Sequence, residues 1–285
     1  KLRNTIIFCC FSFFLFISLC CCVIILPVIG PKITNIDGYK TIDIHSHTIS
    51  SRDNISSISS SINFHKKHGF TDYFITEHDN TNGYKTIPDS IGTEHILPGI
   101  QIRTKEGVSV LLLSQEEFEY EDFKGKSIEE LIDLAHFRDM LVVMPHWWKW
   151  HRPDLQQLID WEIDGFEIYN CGYRYISDQT RQDLINICNE NNLPMFGTTD
   201  WHGLGYMTNV WTLVKEKDNK TLFELLKEKP KTKIVVHDVK GNQSVLRYVF
   251  EPFYFVYIYV TTTQLKYVIS FYMVILILVG FLYNK

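Results

Sequence analysis

Histidine and carboxylate side chains recur at four points in the sequence, each directly after a short apolar run. They are His45 and His47 in DIHSHT, Glu77, His78 and Asp79 in TEHD, His146 in VMPH, and Asp200 and His202 in TTDWH. Imidazole nitrogen and carboxylate oxygen atoms together suit Zn²⁺, Mn²⁺ or Fe. An isolated His-x-His pair is more simply interpreted as two surface histidines, but four such points together favour a metal site.

The elements that must position these side chains alternate along the chain. Strands are predicted at residues 40–45, 72–78, 96–104, 108–113, 141–146, 165–170, 194–200 and 209–214. Helices are predicted at 127–141, which opens with a Ser-x-x-Glu capping box, and at 177–191 and 219–229. Strands that alternate with helices indicate parallel pairing, and this many units predicts an α/β barrel. In such a barrel the chemistry collects at the carboxyl ends of the strands, where the histidines and carboxylates lie.

The motifs DIHSHT, ITEHDN, PGIQI, VMPH, GFEIYN and GTTDWH, in this order, resemble those of the polymerase-and-histidinol-phosphatase (PHP) domain superfamily. The resemblance covers about residues 40–215 and implies a distorted (β/α)₇ barrel with up to three divalent metals, acting as a metal-dependent phosphoesterase. Matched position by position, it implies as metal ligands His45, His47, Asp53, His78, His146, Asp200 and His202.

Two residues depart from the family pattern. The resemblance implies a bridging glutamate where this chain has Gln101, and a histidine close to Ser109. A neutral amide offers one oxygen and no charge to a cation, so Gln101 is at most a weak ligand. We therefore expect one or two ions of Zn or Mn, with Fe as an alternative, rather than three.

A divalent cation lowers the pKa of its bound water and so favours hydrolysis, here of a small-molecule phosphoester. Glu77 and Asp79 are interpreted either as acceptors that orient His78 or as solvated turn carboxylates. Candidate substrate-binding residues near the strand ends are Lys149, Arg152, Asn170 and Arg174. Two alternatives stay open: a metal-dependent hydrolase of a non-phosphate bond, and a catalytically degenerate domain that binds a ligand or partner.

Composition gives little support for a nucleic-acid partner, because the formal net charge is −5 and no basic cluster is visible. Residues 6–30 carry no charge and are long enough to cross the roughly 30 Å core of a bilayer as a helix. A transmembrane anchor is therefore favoured over a cleaved signal peptide, whose apolar region is usually shorter. A second apolar run at 267–283 predicts a further membrane segment.

The predicted organisation has three parts: an N-terminal transmembrane anchor or signal at 1–31, the barrel at 35–248, and one or more membrane segments at 252–285. The predicted fold class is thus α/β, a distorted TIM-like (β/α)₇ barrel flanked by N- and C-terminal transmembrane segments. This arrangement predicts an integral membrane protein in contact with membrane lipid. Its barrel is expected on the extracytoplasmic side, by the positive-inside rule.

Overall fold

The computed structural model describes residues 36–54, 56–148, 152–171, 176–202 and 210–236, together with Phe13 and Ile33. The strands belong to one mixed sheet: β1 (Tyr39–Asp43), β2 (Asp72–His78), β3 (Ile96–Arg103), β4 (Ser109–Leu113), β5 (Leu141–Met144), β6 (Gly165–Asn170), β7 (Met195–Thr198), β8 (Val210–Lys215) and β9 (Lys233–Val236). The helices are α1 (Ile58–His68), α2 (Asn82–Lys85), α3 (Ile128–Phe137), α4 (Leu155–Asp160), α5 (Asp178–Glu190) and α6 (Leu222–Lys227).

The strands follow the order β7-β6-β5-β4-β3-β2-β1-β8-β9. β1, β2 and β3 pair in parallel, as do β5, β6 and β7, whereas β4 and β8 run antiparallel to both of their neighbours. The backbone N–H of Gly197 on β7 donates to the Thr212 hydroxyl on β8 at 2.8 Å. That hydroxyl donates back to the Gly197 carbonyl at 2.9 Å, so the two ends of the sheet meet and nearly close a barrel.

The prediction of a (β/α)₇ barrel with parallel strands is wrong in strand number and direction. β3 and β4 are joined only by the short loop 104–108, and a parallel crossover would need a dozen residues or more, so these two strands form an antiparallel hairpin. β9 and α1 were also not predicted. The sequence of α1 is rich in Ser, His and Lys, but Ser57 caps its start and Gly69, at φ 97°, ends it in the left-handed conformation.

The predicted membrane spans also need correction. Among the described residues, no helix is both long enough and apolar enough to cross a bilayer. This finding overturns the fold class with flanking transmembrane segments and the integral-membrane location, including an extracytoplasmic barrel. The segments on which both predictions rested, 1–31 and 252–285, lie outside the described residues except for Phe13.

Alternation along the strands separates two apolar layers. Ile42, Phe74, Leu111 and Val143 belong to one buried cluster, which also includes the apolar face of α6. The intervening positions of the same strands pack outward against the helices, as Val110 does. Because α6 packs with residues at the starts of the parallel strands, apolar side chains fill that half of the barrel. The polar residues are left at the carboxyl ends.

Candidate metal centre

A first cluster of three histidines lies where β1, β2 and β7 end. His47, His78 and His202 each offer a ring nitrogen, and these atoms all lie within 4.8 Å of one another. The Oδ2 atom of Asp53 lies 3.1 Å from Nε2 of His78 and 3.3 Å from Nε2 of His202. Three imidazoles and a nearby carboxylate form a donor set that fits Zn²⁺ or another first-row divalent cation.

A second cluster shares His47 with the first. The Oδ1 atom of Asp200 lies 3.1 Å from Nε2 of His47 and 3.3 Å from Nε2 of His45. All three side chains are buried, and their ligand atoms also fall within 4.8 Å of one another. The geometry therefore offers two neighbouring sets of ligand atoms.

Hydrogen bonds at the Nδ1 atoms of three of the rings orient their Nε2 atoms toward the clusters. Nδ1 of His45 lies 2.7 Å from Glu167 Oε1, and Nδ1 of His47 lies 3.0 Å from the Ser51 hydroxyl. Nδ1 of His202 lies 2.7 Å from the backbone carbonyl of Asp200. Partners of this kind set the tautomer and the orientation of histidines that bind metals.

The first and last motifs are held together through the main chain. Ser46 and Trp201 form a parallel bridge, the His47 N–H donates to the Trp201 carbonyl at 3.1 Å, and the Asp200 N–H donates to the His45 carbonyl at 2.9 Å.

Asp200 has a positive φ of 48°, a costly conformation for a residue other than glycine. His146, which follows β5, has φ 28°. Backbone strain thus occurs beside the clusters.

The charged groups of the two clusters shift one another's pKa values. Burial by itself lowers the pKa of His45, but Asp200 and Glu167 outweigh it and raise that pKa to about 9. His202 is partly buried, which by itself lowers its pKa, but Asp200 and Asp53 outweigh this and raise that pKa to about 9. Protons on these two rings thus offset the buried carboxylates, and a divalent cation would displace them.

The pKa values of His47, Asp200 and Asp53 are lowered, in contrast to those of His45 and His202. Burial and the neighbouring His202 lower the pKa of His47 well below its ordinary value. Burial raises the pKa of Asp200, but His45 and His202 outweigh it and hold that pKa well below its usual range. Hydrogen bonds from His202 and His78 likewise outweigh burial and lower the pKa of Asp53. The carboxylates and His47 are thus already deprotonated, as ligands must be.

Gln101 occupies the space between His45 and His146. Its Oε1 lies 3.1 Å from Nε2 of His45, and its Nε2 lies 3.0 Å from Nε2 of His146. The amide thereby engages the lone pair with which His146 would bind a cation. The contacts of His146 are therefore those of a hydrogen-bond partner of Gln101, and this residue lies outside both sets of clustered ligand atoms.

Glu77 does not face His78 across the strand. Side chains alternate along β2, and Glu77 is on the same face as Tyr73 and Ile75, which pack outward. Its fully buried carboxylate accepts hydrogen bonds from the Thr48 hydroxyl and backbone N–H and from the Ser51 hydroxyl. Because Ser51 also contacts His47, Glu77 acts on that ring through a serine.

The remaining predicted residues that the structure describes are Asp79, Asn170 and Arg152. Asp79 accepts from the backbone N–H of Arg103 at 2.8 Å. The buried Asn170 donates to Glu167 at 3.0 Å. The Arg152 guanidinium lies 5.4 Å from the ring centroid of Trp147. Lys149 and Arg174 lie outside the described residues.

A buried network behind the clusters was not predicted. Asp43 accepts from the backbone N–H groups of His45 and Thr199, each at 3.2 Å, and its other oxygen lies 3.1 Å from Nε2 of His65. The ring of His65 stacks on Tyr73 at 4.1 Å. The sequence signal for Asp43 is a carboxylate in an otherwise apolar strand. His65, in HKKH, resembles a solvated helix face.

The clusters open into a cleft of about 500 Å³. Its lining includes residues of both clusters, the β3–β4 hairpin and the segment after β5: Asp53, His78, Asp79, Gln101, Arg103, Gly107, Val108, Ser109, Pro145, His146, Trp147, Pro153, Asp200 and His202. A space of this volume accommodates a small molecule beside the histidines.

Comparison with solved structures finds proteins with a similar fold. PsfC from Pseudomonas syringae PB-5123 matches with TM-score 0.55 and 15% identity over 75% of this chain and 98% of its own. Endonuclease Q, solved with a 27-mer duplex that carries an abasic lesion at the active site, matches with TM-score 0.50 and 17% identity over 67% of this chain and 56% of its own.

A third match is a two-domain protein from Bacteroides vulgatus that contains a predicted PHP-like metal-dependent phosphoesterase. It has TM-score 0.49 and 19% identity over 73% of this chain and 68% of its own. No protein-family model matches the sequence, and no curated protein sequence matches it. PsfC and Endonuclease Q thus share the fold of this chain.

Proposed function

We propose that this protein is a metal-dependent hydrolase of phosphoesters. The observation that carries the proposal is the convergence of His47, His78 and His202 with Asp53 and Asp200 beside the cleft. Imidazole and carboxylate donors at one open position are what a catalytic, rather than a structural, divalent cation requires. Such a cation would activate water and polarise a phosphoryl oxygen.

The residues of this chain have separate tasks in the proposed reaction. Nε2 atoms of His47, His78 and His202 would hold the first cation together with Asp53. Asp200 and His45 extend the set toward a second position that shares His47. We infer one or two cations and not three, because His146 is hydrogen-bonded to Gln101 at the position where a third cation would bind. Ser51 contacts Nδ1 of His47 and Glu167 contacts Nδ1 of His45, and these contacts keep the two rings in position.

The substrate is proposed to be a small phosphoester. The cleft volume of about 500 Å³ suits a small molecule, and no concentrated basic surface is visible in the sequence. Endonuclease Q, which shares the fold, is solved with a DNA duplex. A duplex with an abasic site therefore belongs in the substrate panel, and cleavage of it in preference to small phosphoesters would reassign the substrate.

The experiment measures bound metal and activity on the same samples. The whole chain, purified without chelators, is analysed for Zn, Mn and Fe and then assayed against phosphate monoesters, diesters and the abasic duplex. His47→Ala and Asp200→Ala should each lose bound metal and at least about 100-fold in activity, since both remove a proposed ligand. Full activity in either variant would contradict the proposal.

Matched controls make the result specific. His136→Ala removes a histidine paired with Asp164 at 2.9 Å, on α3 and away from the cleft, so metal content and activity should be kept. Metal binding without any phosphoester turnover, but with turnover of an amide or carbamate ester, would favour a hydrolase of another bond. Failure of the wild type to bind any of the three metals would favour a degenerate binding domain.

A further inference from the structure

The β3–β4 hairpin forms one wall of the cleft, and the side chains on this wall differ chemically from the candidate metal ligands. Arg103, the last residue of β3, pairs directly with Ser109, the first residue of β4. Residues directly opposite on antiparallel strands project to the same face, and both of these line the cleft that His78 and His202 also line. This wall therefore combines a guanidinium and a hydroxyl beside the candidate metal centre.

The register of β3 places this pair relative to the clusters. Gln101 lies opposite His78 in the parallel β2–β3 ladder. Arg103 is two residues further on and projects to the same face as Gln101, roughly 7 Å farther toward the mouth of the cleft. Gln101 is engaged with His45 and His146, so the wall beyond it is where a bound substrate would meet protein donors instead of a cation.

The guanidinium of Arg103 forms no ion pair with any carboxylate in the described part of the chain. In contrast, Arg138 pairs with Asp122 at 2.6 Å and Arg181 with Asp178 at 3.2 Å. The neighbouring Asp79 carboxylate accepts a hydrogen bond from the Arg103 backbone N–H.

The other two carboxylates that line the cleft are engaged by histidines. Asp53 is engaged by His78 and His202, and Asp200 is engaged by His45 and His47. They therefore do not compete for the guanidinium. An exposed cation on a wall beside a candidate metal centre is suited to an anionic group of the substrate.

We propose that Arg103 and Ser109 form a subsite for the non-bridging oxygens of a terminal phosphate, and that Arg103 makes the enzyme selective for phosphate monoesters. This inference rests on the proposed function and deepens it. A planar guanidinium donates two parallel hydrogen bonds to a phosphate, and a serine hydroxyl adds one more. A monoester dianion offers more charge and more free oxygens to this pair than a diester does, so the preference follows from the chemistry of the wall.

The first test is kinetic. Arg103→Gln should raise KM for a phosphate monoester about 10-fold or more while kcat changes little, as expected when binding common to ground and transition states is lost. Arg103→Lys should recover part of that loss, because the charge stays and the planar fork is lost. The ratio of monoester to diester kcat/KM should fall in Arg103→Gln, a readout that a merely structural role would not move.

Control variants separate this role from folding and from metal binding. Arg138→Gln removes an exposed arginine outside the cleft and should leave KM unchanged. Metal content should be the same in wild type, Arg103→Gln and Arg138→Gln. An unchanged KM and an unchanged monoester preference in Arg103→Gln would overturn the subsite, as would loss of bound metal in that variant.

A second measurement distinguishes failure of the subsite from failure of the proposed function. Inorganic phosphate is titrated into the zinc- or manganese-loaded protein and followed by calorimetry. About 10-fold weaker phosphate binding in Arg103→Gln would support the subsite even if no phosphoester is hydrolysed, in which case the hydrolase proposal fails alone. Equal phosphate binding by wild type and Arg103→Gln would overturn the subsite whatever the activity.

Discussion

The Oε1 atom of Glu167 lies 2.7 Å from Nδ1 of His45, and both side chains are fully buried. The same oxygen accepts from the Thr198 hydroxyl, and the other accepts from the His146 backbone N–H at 2.8 Å and from Asn170 at 3.0 Å. Glu167 therefore connects four separate strands or strand ends. Burial opposes its ionisation, but His45 outweighs burial and lowers the pKa of Glu167.

Glu167→Gln should weaken metal binding by about 10- to 100-fold, the usual effect of removing a carboxylate that orients a histidine ligand. The amide has nearly the same shape but can no longer stabilise the charge on His45 or accept all of these donors. Metal titration of the chelator-treated protein measures the effect. Glu119→Gln, on the exposed surface and paired with Lys85, is the control, and equal affinity in both variants would contradict a positioning role for Glu167.

Gln101→Glu should increase the number of bound cations per chain. A carboxylate at this position would attract a cation toward His45 and His146, where the neutral amide now satisfies both rings. Elemental analysis after metal loading checks the prediction, with the exposed Gln115→Glu as the matched charge change. An unchanged metal count in Gln101→Glu would mean that the amide is not what limits occupancy.

Ser51→Ala should reduce metal affinity, whereas Ser50→Ala should not. The Ser51 hydroxyl donates to the buried Glu77 and lies 3.0 Å from Nδ1 of His47 and from the backbone N–H of His78. Its loss leaves a buried carboxylate with one donor fewer and one cluster ring without its orienting partner. Metal titration and thermal unfolding of both variants, which differ by one position, separate this role from a general loss of stability.

Metal affinity should rise steeply with pH up to about 9. In the metal-free protein the pKa values of His45 and His202 are raised to about 9, so a cation must displace a proton from each ring at neutral pH. Titrations in two buffers with different enthalpies of protonation count the released protons. Proton release that stays near zero at pH 7 would show that neither ring is a ligand.

The metal-free protein should become less stable as pH rises from about 6.5 to about 9. A histidine whose folded pKa is raised contributes stability below its unfolded pKa, near 6.5, and loses it as pH passes through the folded value near 9. The lowered pKa values of Asp53 and Asp200 change the stability only in the acidic range, so their contribution is constant between pH 6.5 and 9. Denaturant unfolding with chelator at several pH values measures the slope, and saturating metal should abolish it. A flat profile without metal would contradict the assignment of raised pKa values to these rings.

Much of the secondary structure was predictable because it depends on local pattern. All eight predicted strands and all three predicted helices are present, since alternation, capping boxes and turn residues are local features. The number of strands, their directions and the membrane spans were predicted wrongly. Strand direction depends on where a strand pairs in the sheet, which the local pattern does not specify.

The sequence by itself determined which chemical groups are present and that they follow strand ends: His45, His47, His78, Asp200 and His202 could all be named from their motifs. Only the tertiary structure decided which atoms meet. Glu167 and His45 are 122 residues apart, and their hydrogen bond exists because the barrel nearly closes. Likewise, Arg103 and Ser109 became neighbours in the cleft because β4 runs antiparallel to β3. Contacts between distant segments depend on strand pairing and register, which no local pattern of residues specifies.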